Sequence, residues 1–216
     1  NGLAAYSAAD GVYAGSTAAT ALAARGPDSV VADNPLFYGR ITEDGESGPV
    51  TLAGIPLTRA AAVVQAAGTN CLIASAGQTL ATHALAIEAG AAALTLGAAE
   101  GDGGLTALAP GGKLDLINDS SSPLTINAAL SNNAAAVSIT KSGNGEVLLI
   151  GPCSYSGGTA INAGTLVFAS SATQALVGAI SGSGSLVKAG TNLLTLAGRN
   201  TFTGVTYINA GIVLAQ

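Results

Sequence analysis

The stretch Tyr155–Phe168, "YSGGTAINAGTLVF", returns 47 residues later as Phe202–Ala215, "FTGVTYINAGIVLA". Neither copy contains a His, a Lys, an Arg or an acidic residue. An ungapped alignment of Lys141–Val167 with Lys188–Leu214 has ten identities in 27 positions. Such self-similarity is typical of a solenoid, in which each unit buries its apolar face only against its neighbours. The repeat therefore decides the fold class.

The repeated positions combine aromatic, branched apolar, Asn and Gly residues. A narrow parallel β-helix needs small and branched side chains inside, and Gly or Asn at corners with left-handed backbone. We expect coils of about 20 to 25 residues, so that 47 residues make two full coils and equivalent positions share one column. The positions given this structural role are Tyr155, Gly157, Ile161, Asn162, Gly164, Phe202, Gly204, Ile208, Asn209 and Gly211.

Residues 70–216 consist of short apolar runs such as "CLIAS" and "EVLLIG", separated by Gly, Asn, Ser or Pro. This is the pattern of short strands and tight turns. No helical segment recurs with the repeat, which argues against a leucine-rich repeat, and propeller blades usually carry an aromatic residue that is missing here. We predict an all-β parallel β-helix over 70–216, with its clearest repeats at 141–168 and 188–215.

Residues 1–69 have a different sequence pattern. Ser16–Gly26 and Thr58–Gly68 each combine a candidate N-cap, an Ala-rich body and a terminal Gly, which predicts two short helices. We expect this region to form a small, irregular and partly helical cap. Between the two predicted helices, the short stretch "TEDGESG" contains three closely spaced acidic residues: Glu43, Asp44 and Glu46. They favour a solvated hairpin tip, and the alternative is a calcium site.

Composition excludes several classes of function. The net charge is -5, and the seven Lys and Arg residues are scattered rather than clustered, which argues against nucleic-acid binding. No apolar run approaches the roughly 20 residues that span a bilayer, so we expect no membrane insertion. The chain contains no Met, so we expect residue 1 not to be an initiator and the chain to be processed or cut from a longer one. A charge-poor, processed chain favours a secreted product.

The two cysteines, Cys71 and Cys153, have no CxxC spacing and no His nearby, which argues against a zinc site. In an oxidising compartment they are candidates for a disulfide, if the fold brings their Cα atoms within range. The alternative, which we favour, is two small buried apolar side chains.

Few titratable residues are placed to converge. Asp115 with Asp119, and Glu100 with Asp102, are the acid pairs that carbohydrate chemistry would use, and both favour solvated turns instead. His83, the single His, favours a polar strand end over a general base. No nucleophile, phosphate or dinucleotide motif is present, so the sequence predicts no enzyme activity and no cofactor.

Lys141 and Lys188 occupy matching positions of the two repeats. One interpretation makes them an exterior pair that binds a ligand. The other, which we favour, makes them charged residues at strand edges that keep a flat surface soluble.

Gly182–Gln216 closely resembles the autotransporter-associated β-strand repeat, also called the passenger-associated transport repeat. Lys141–Phe168 is a looser second copy, with Pro152 and Cys153 where the other copy has Arg199 and Asn200. The resemblance implies a right-handed parallel β-helix on a bacterial surface, in a secreted passenger domain. The matching positions are Leu186, Lys188, Gly190, Leu194, Thr195, Leu196, Gly198, Asn200, Thr201, Gly204, Thr206, Ile208, Asn209 and Gly211, with Phe202 in the Tyr position.

Three functions are consistent with these observations. The first is a non-enzymatic extracellular structural or adhesive β-helix, whose copies stack head to tail into a filament because Thr206–Gln216 ends inside a strong strand. The alternative is a passenger fragment of an autotransporter-like adhesin that contacts cell-surface or matrix components. The third, a polysaccharide-binding or polysaccharide-cleaving β-helix, is disfavoured by the scarcity of acids and aromatic residues.

Overall fold

The structure is a computed structural model, which describes residues 50–52 and 54–216 in full and the backbone of four earlier strands. The described part of the chain contains strands and turns and no helix, hence no helix suited to crossing a bilayer. The strands are β1 Tyr6–Ser7, β2 Val12–Tyr13, β3 Val30–Val31, β4 Asn34–Ile41, β5 Val50–Leu52, β6 Leu57–Gln65, β7 Cys71–Ala74, β8 Thr79–Ile87, β9 Leu94–Leu96, β10 Gly104–Ala107, β11 Lys113–Asn118, β12 Leu124–Ile126, β13 Ala129–Leu130, β14 Ser138–Ser142, β15 Glu146–Leu149, β16 Thr159–Ile161, β17 Thr165–Phe168, β18 Gln174–Leu176, β19 Ile180–Ser181, β20 Ser185–Lys188, β21 Leu193–Leu196, β22 Thr206–Ile208 and β23 Ile212–Ala215.

Strands one coil apart pair in parallel and build a solenoid of about eight turns, which confirms the predicted fold class. Sheet 1 runs in the order β3-β5-β7-β9-β12-β15-β17-β20-β22. Sheet 2 contains β4, β6, β8, β10, β11, β13, β14, β16 and β19, and sheet 3 contains β18, β21 and β23. In its last coils the solenoid is therefore three-sided.

The interior is a set of stacked apolar ladders. On sheet 1, five side chains of successive coils lie directly above one another and are 0% exposed: Leu94, Leu124, Val147, Leu166 and Leu186. Burying such a side chain stabilises the fold by about 1.5–3 kcal/mol. Because each rung is covered by the next, neighbouring coils depend on one another for stability.

The coils are shorter than half of the 47-residue repeat interval. Lys141 pairs with Ile161 and Leu166 pairs with Leu186, so one coil takes 20 residues here. The interval of 47 residues thus exceeds two coils by about seven residues, or one side of a three-sided coil. The prediction that equivalent positions share one column is wrong, because Ile161 lies on sheet 2 and its equivalent Ile208 lies on sheet 1.

Each repeat copy instead stacks on itself. In the first copy β14 pairs with β16 and β15 pairs with β17, and in the second copy β20 pairs with β22 and β21 pairs with β23. A copy is therefore about one and a half coils long. The corner between its last two strands lies on the corner between its first two strands. The same unit is used at two different corners of the solenoid.

The predicted helix at Thr58–Gly68 is wrong. Most of this segment lies in β6, which pairs in parallel with β4 and β8. Ala-rich composition favours a helix locally, but ladder pairing and burial of Val63 and Val64 outweigh that small propensity. Parallel pairing also crosses the predicted boundary at residue 70, since β5 pairs with β7. The predicted helix at Ser16–Gly26 and the acidic residues at 43–46 lie outside the described residues.

The turn between β7 and β8 contains Ala76 at φ +49°, followed by Gly77 at φ +77°. A left-handed backbone costs an L-residue roughly 1–2 kcal/mol, and Gly costs about 0.5–1 kcal/mol in entropy. We expect Ala76→Gly to raise the free energy of unfolding by up to about 1 kcal/mol, measured by urea denaturation. Ala175→Gly, on the extended strand β18, is the matched control and should lower it by about 0.5–1 kcal/mol.

Candidate functional site

The outer face of sheet 1 is the longest continuous face of the solenoid that the structure describes. Successive residues of a strand point to opposite sides, so the residue between two buried ones faces outward. From β7 to β22 the pairing register places seven residues in one column on the outward side: Leu72, Thr95, Thr125, Leu148, Val167, Val187 and Tyr207. Six of these side chains are at least partly exposed, whereas Val167 is 5% exposed. All seven side chains are neutral.

This face carries very little charge. Among the sheet 1 strands from β5 to β22, Glu146 is the charged side chain that faces outward, because Lys188 turns into the interior. The column changes from Thr in β9 and β12 to aliphatic side chains in β15, β17 and β20. Tyr207 at its end is 53% exposed. Such a surface favours flat, uncharged contacts over electrostatic ones.

Both repeat lysines are buried, so an exterior ligand pair and a soluble edge charge are both wrong. Lys141 is 0% exposed and Lys188 is 3% exposed. The Lys141 ammonium donates hydrogen bonds to the carbonyls of Ser142 at 2.9 Å, Gly143 at 2.6 Å and Ala163 at 3.1 Å. The last of these belongs to the next coil, so Lys141 ties one corner to the corner above it.

Burial lowers the pKa of Lys141 to about 8, while the Asp119 carboxylate acts in the opposite direction. Burial also lowers the pKa of Lys188, whose ammonium donates to the Gly190 carbonyl. The two lysines therefore have the same local role in the two copies, although they lie on different sheets. That role is to satisfy carbonyl groups at a corner.

Two further residues have this corner role, and the sequence analysis missed both. The Gln65 side-chain amide donates to the Thr69 carbonyl at 2.7 Å. The Asn118 amide donates to the Ser122 carbonyl at 2.8 Å and to the Glu146 carbonyl at 2.7 Å. The available signal was a polar residue at the inward position of an apolar strand, directly before a turn.

The repeat Asn and Gly residues lie at the corners. The backbone amide of Asn162 donates to the Lys141 carbonyl at 2.9 Å, and the backbone amide of Asn209 donates to the Lys188 carbonyl at 2.8 Å. Gly164 has φ +65°, and a Cβ there would lie 2.5 Å from the carbonyl oxygens of Gly143 and Gly145. Gly211 has φ +73°, and a Cβ there would likewise lie 2.5 Å from the carbonyl oxygens of Gly190 and Asn192 in the corner below it.

The remaining repeat positions differ between the copies. Tyr155 is buried, and its hydroxyl lies 2.8 Å from the Thr159 hydroxyl, whereas Phe202 is only partly buried against the core. Ile161 is 0% exposed and Ile208 is 55% exposed, because β20 is the only strand of the described residues that pairs with β22. A Cβ at Gly157 would overlap the Val137 carbonyl, and one at Gly204 would overlap the Gly184 carbonyl.

The acidic residues do not converge. Asp115 pairs with Lys113 at 2.8 Å on the surface. Asp102 accepts hydrogen bonds from the amides of Ala98 at 2.8 Å and Gly77 at 3.1 Å, and Glu100 binds elsewhere. His83 is exposed. Among the described residues, no group of three or more His, Cys, Asp or Glu side chains is placed to hold a metal ion.

Cys71 and Cys153 are both buried and are not joined by a disulfide, so the candidate disulfide is not formed. Cys71 begins β7, and Cys153 follows β15, three ladder steps further along sheet 1. Each step is about 4.8 Å, which separates the two coils by about 14 Å along the axis. A disulfide needs Cα atoms within about 7 Å, so this fold cannot form it without rearrangement.

These features define a three-sided parallel β-solenoid built partly from self-stacked repeats. Residues 139–168 and 186–215 match the Passenger-associated-transport-repeat, so the chain carries two copies of that repeat. Over 118 residues, or 55% of this chain, it is 31% identical to the Adhesin BmaC autotransporter of Brucella suis biovar 1 (strain 1330). The aligned part is 3% of that protein, so the chain spans a small fraction of its relative's length. No solved structure matches the chain.

Proposed function

We propose that the chain is a segment of an autotransporter-type passenger that acts as a surface adhesin. The observation that carries this proposal is the pair of self-stacked passenger-associated transport repeats, together with a relative named an adhesin. The segment is extracellular and non-enzymatic in this account. The solenoid serves as a stiff support, because the inner strands of each sheet are hydrogen-bonded to the coils on both sides.

The outer face of sheet 1 is the contact surface in this proposal. The partner is a cell-surface or matrix protein with an uncharged, largely apolar patch, because the outward column of sheet 1 offers threonine and aliphatic side chains and no charge in β9, β12 and β20. A charged partner surface would lose its hydration on this face without gaining a counter-charge. Apolar contact needs no such compensation.

The test is binding of the purified chain to immobilised matrix proteins and to cultured epithelial cells. We expect the double substitution of Leu148→Asp and Val187→Asp to reduce binding at least tenfold, because it places two carboxylates in the aliphatic part of the column. The fold should persist, because both side chains point outward. Thr195→Asp, an outward position on sheet 3, is the matched control and should bind like the wild type.

Binding that is unchanged by the double substitution would reject sheet 1 as the contact surface. Absence of binding to every matrix protein and cell type would reject the adhesin proposal itself. Head-to-tail association of copies into filaments, which the sequence also predicted, stays a prediction.

A further inference from the structure

The loop after β9, Gly97–Gly103, leaves the coil and extends along the solenoid axis. Its Glu100 carboxylate accepts a hydrogen bond from the Ser170 hydroxyl at 2.7 Å and from the Ser171 amide at 2.7 Å. The receiving turn follows β17, which lies three ladder steps beyond β9 on sheet 1. At about 4.8 Å a step, the contact bridges about 14 Å along the axis.

The loop also contacts one of the coils that lie between β9 and β17. The Gly101 amide donates to the Asn127 carbonyl at 2.7 Å, in the corner that follows β12. The loop thus touches the coil of β12 and reaches the coil of β17, with the coil of β15 between them. One segment of seven residues therefore connects four successive levels of sheet 1.

Several independent features hold the loop in this shape. Asp102 accepts hydrogen bonds from the amides of Ala98 and Gly77, which fix the base of the loop to its own coil and to the preceding one. Gly97 has φ +86°, and a Cβ there would lie 2.8 Å from the Asp102 carbonyl oxygen. The backbone at the start of the loop therefore requires glycine.

The receiving turn is equally well defined. Ser170 is 3% exposed, and its hydroxyl accepts a hydrogen bond from the Ala172 amide at 3.1 Å while it donates to Glu100. The Ser170 hydroxyl and the Ser171 amide lower the pKa of Glu100, which keeps the carboxylate ionised. Hydrogen bonds to an ionised acceptor are stronger than those between neutral groups.

We propose that Gly97–Gly103 is a strap that locks the coils of β9, β12, β15 and β17 into one unit. Without a strap, adjacent coils of a solenoid are joined only to their nearest neighbours, so they open one at a time. A contact between the first and fourth levels makes the opening of any corner between them depend on release of Glu100. The strap therefore resists separation of coils along the axis.

Hydrogen exchange by mass spectrometry tests the strap. We expect Glu100→Ala to speed exchange about tenfold at the corners after β12, β15 and β17, residues 127–128, 150–151 and 169–172. Exchange in β20 to β23 should stay at the wild-type rate, because those coils lie beyond the strap. Glu146→Ala, an exposed acid on β15 between the strap's ends, is the control and should leave these corners unchanged.

A double-mutant cycle separates the strap from a general loss of stability. Ser170→Ala removes one of the two groups that bind Glu100, so the effects of Ser170→Ala and Glu100→Ala on the corners should be less than additive. If Glu100→Ala does not fold, Glu100→Gln keeps the side-chain size and should give a smaller increase at the same corners. Unchanged exchange, or an equal increase in every coil, would overturn the proposal.

Discussion

Gly178→Ala should prevent the last coils from stacking and lower the free energy of unfolding by at least about 3 kcal/mol. A Cβ at Gly178 would overlap the carbonyl group of Gly157 in the coil below, and the atoms it meets are all backbone. Backbone cannot rotate away as a side chain can, so the coils must separate. Gly198 lies over Gly178 in the same way, with its Cβ position 2.5 Å from the Gly178 carbonyl oxygen.

The matched control is Gly158→Ala. A Cβ at Gly158 would lie 3.3 Å from the Ala179 carbonyl oxygen, which a small local shift accommodates. We expect the free energy of unfolding to change by less than about 1 kcal/mol, partly because Ala restricts the unfolded chain more than Gly does. Urea denaturation of both variants makes the comparison. Equal stability of the two variants would contradict the close stacking of Gly178 on Gly157.

Lys141→Met should lower the free energy of unfolding by about 2–4 kcal/mol. The substitution keeps an unbranched apolar stem but leaves the carbonyls of Ser142, Gly143 and Ala163 without their donor. Unsatisfied carbonyls cost about 1–3 kcal/mol each when buried, and relief from burying the ammonium offsets part of this loss. Lys113→Met, at a side chain that is 57% exposed, should change stability by less than about 0.5 kcal/mol.

The stability difference between the wild type and Lys141→Met should depend on pH. The pKa of Lys141 is about 8 in the fold and 10.5 as the ordinary value, so between these pH values the unfolded chain holds a proton that the folded chain has released. The wild type therefore gains stability relative to Lys141→Met as the pH rises from 8 to 10.5, by about 1–2 kcal/mol after solvent screening. This gain is lost as the pH falls from 10.5 to 8, and below 8 both the folded and the unfolded chain hold the proton. A difference that is constant from pH 7 to pH 10 would contradict the burial of an ammonium at this corner.

The repeat made the parallel solenoid predictable, because a unit without a core of its own must stack on neighbours. The short apolar runs bounded by turn residues also predicted individual strands, as "EVLLIG" did for β15. Coil length was not predictable in the same way. The interval between the copies gives only the total length of the strands and corners that separate them. An interval of 47 residues is compatible with two long coils and equally with about 2.3 coils of 20 residues.

The residues with the least predictable positions were the polar ones. Lys141 reads as a surface charge, because an isolated Lys is almost never fully buried. Lys141 is buried because its ammonium donates to carbonyl groups of two different coils. No local sequence pattern shows that these carbonyl groups lie close to it. Glu100 was likewise assigned to a solvated turn, and its partner Ser170 is 70 residues away in sequence. The helix prediction for Thr58–Gly68 was wrong for a related reason, since pairing with distant strands outweighed the local helix propensity of this segment.

The central claim is that equivalent strands of the two repeat copies lie on different sides of the solenoid, as β16 on sheet 2 and β22 on sheet 1 do. Spin labels test it most directly, in a chain with Cys71→Ala and Cys153→Ala. Thr165 pairs with Ser185 on β20, and Val205 directly precedes β22 and continues the register in which Leu186 pairs with Thr206. Residues 165 and 205 are therefore two coils apart, about 10 Å from each other, because each coil adds about 4.8 Å. Thr165 and Ile212 are equivalent in the sequence repeat but lie on sheets 1 and 3. The account predicts strong dipolar broadening for labels at residues 165 and 205 and much weaker broadening for labels at residues 165 and 212. Strong broadening for the second pair and weak broadening for the first would contradict it.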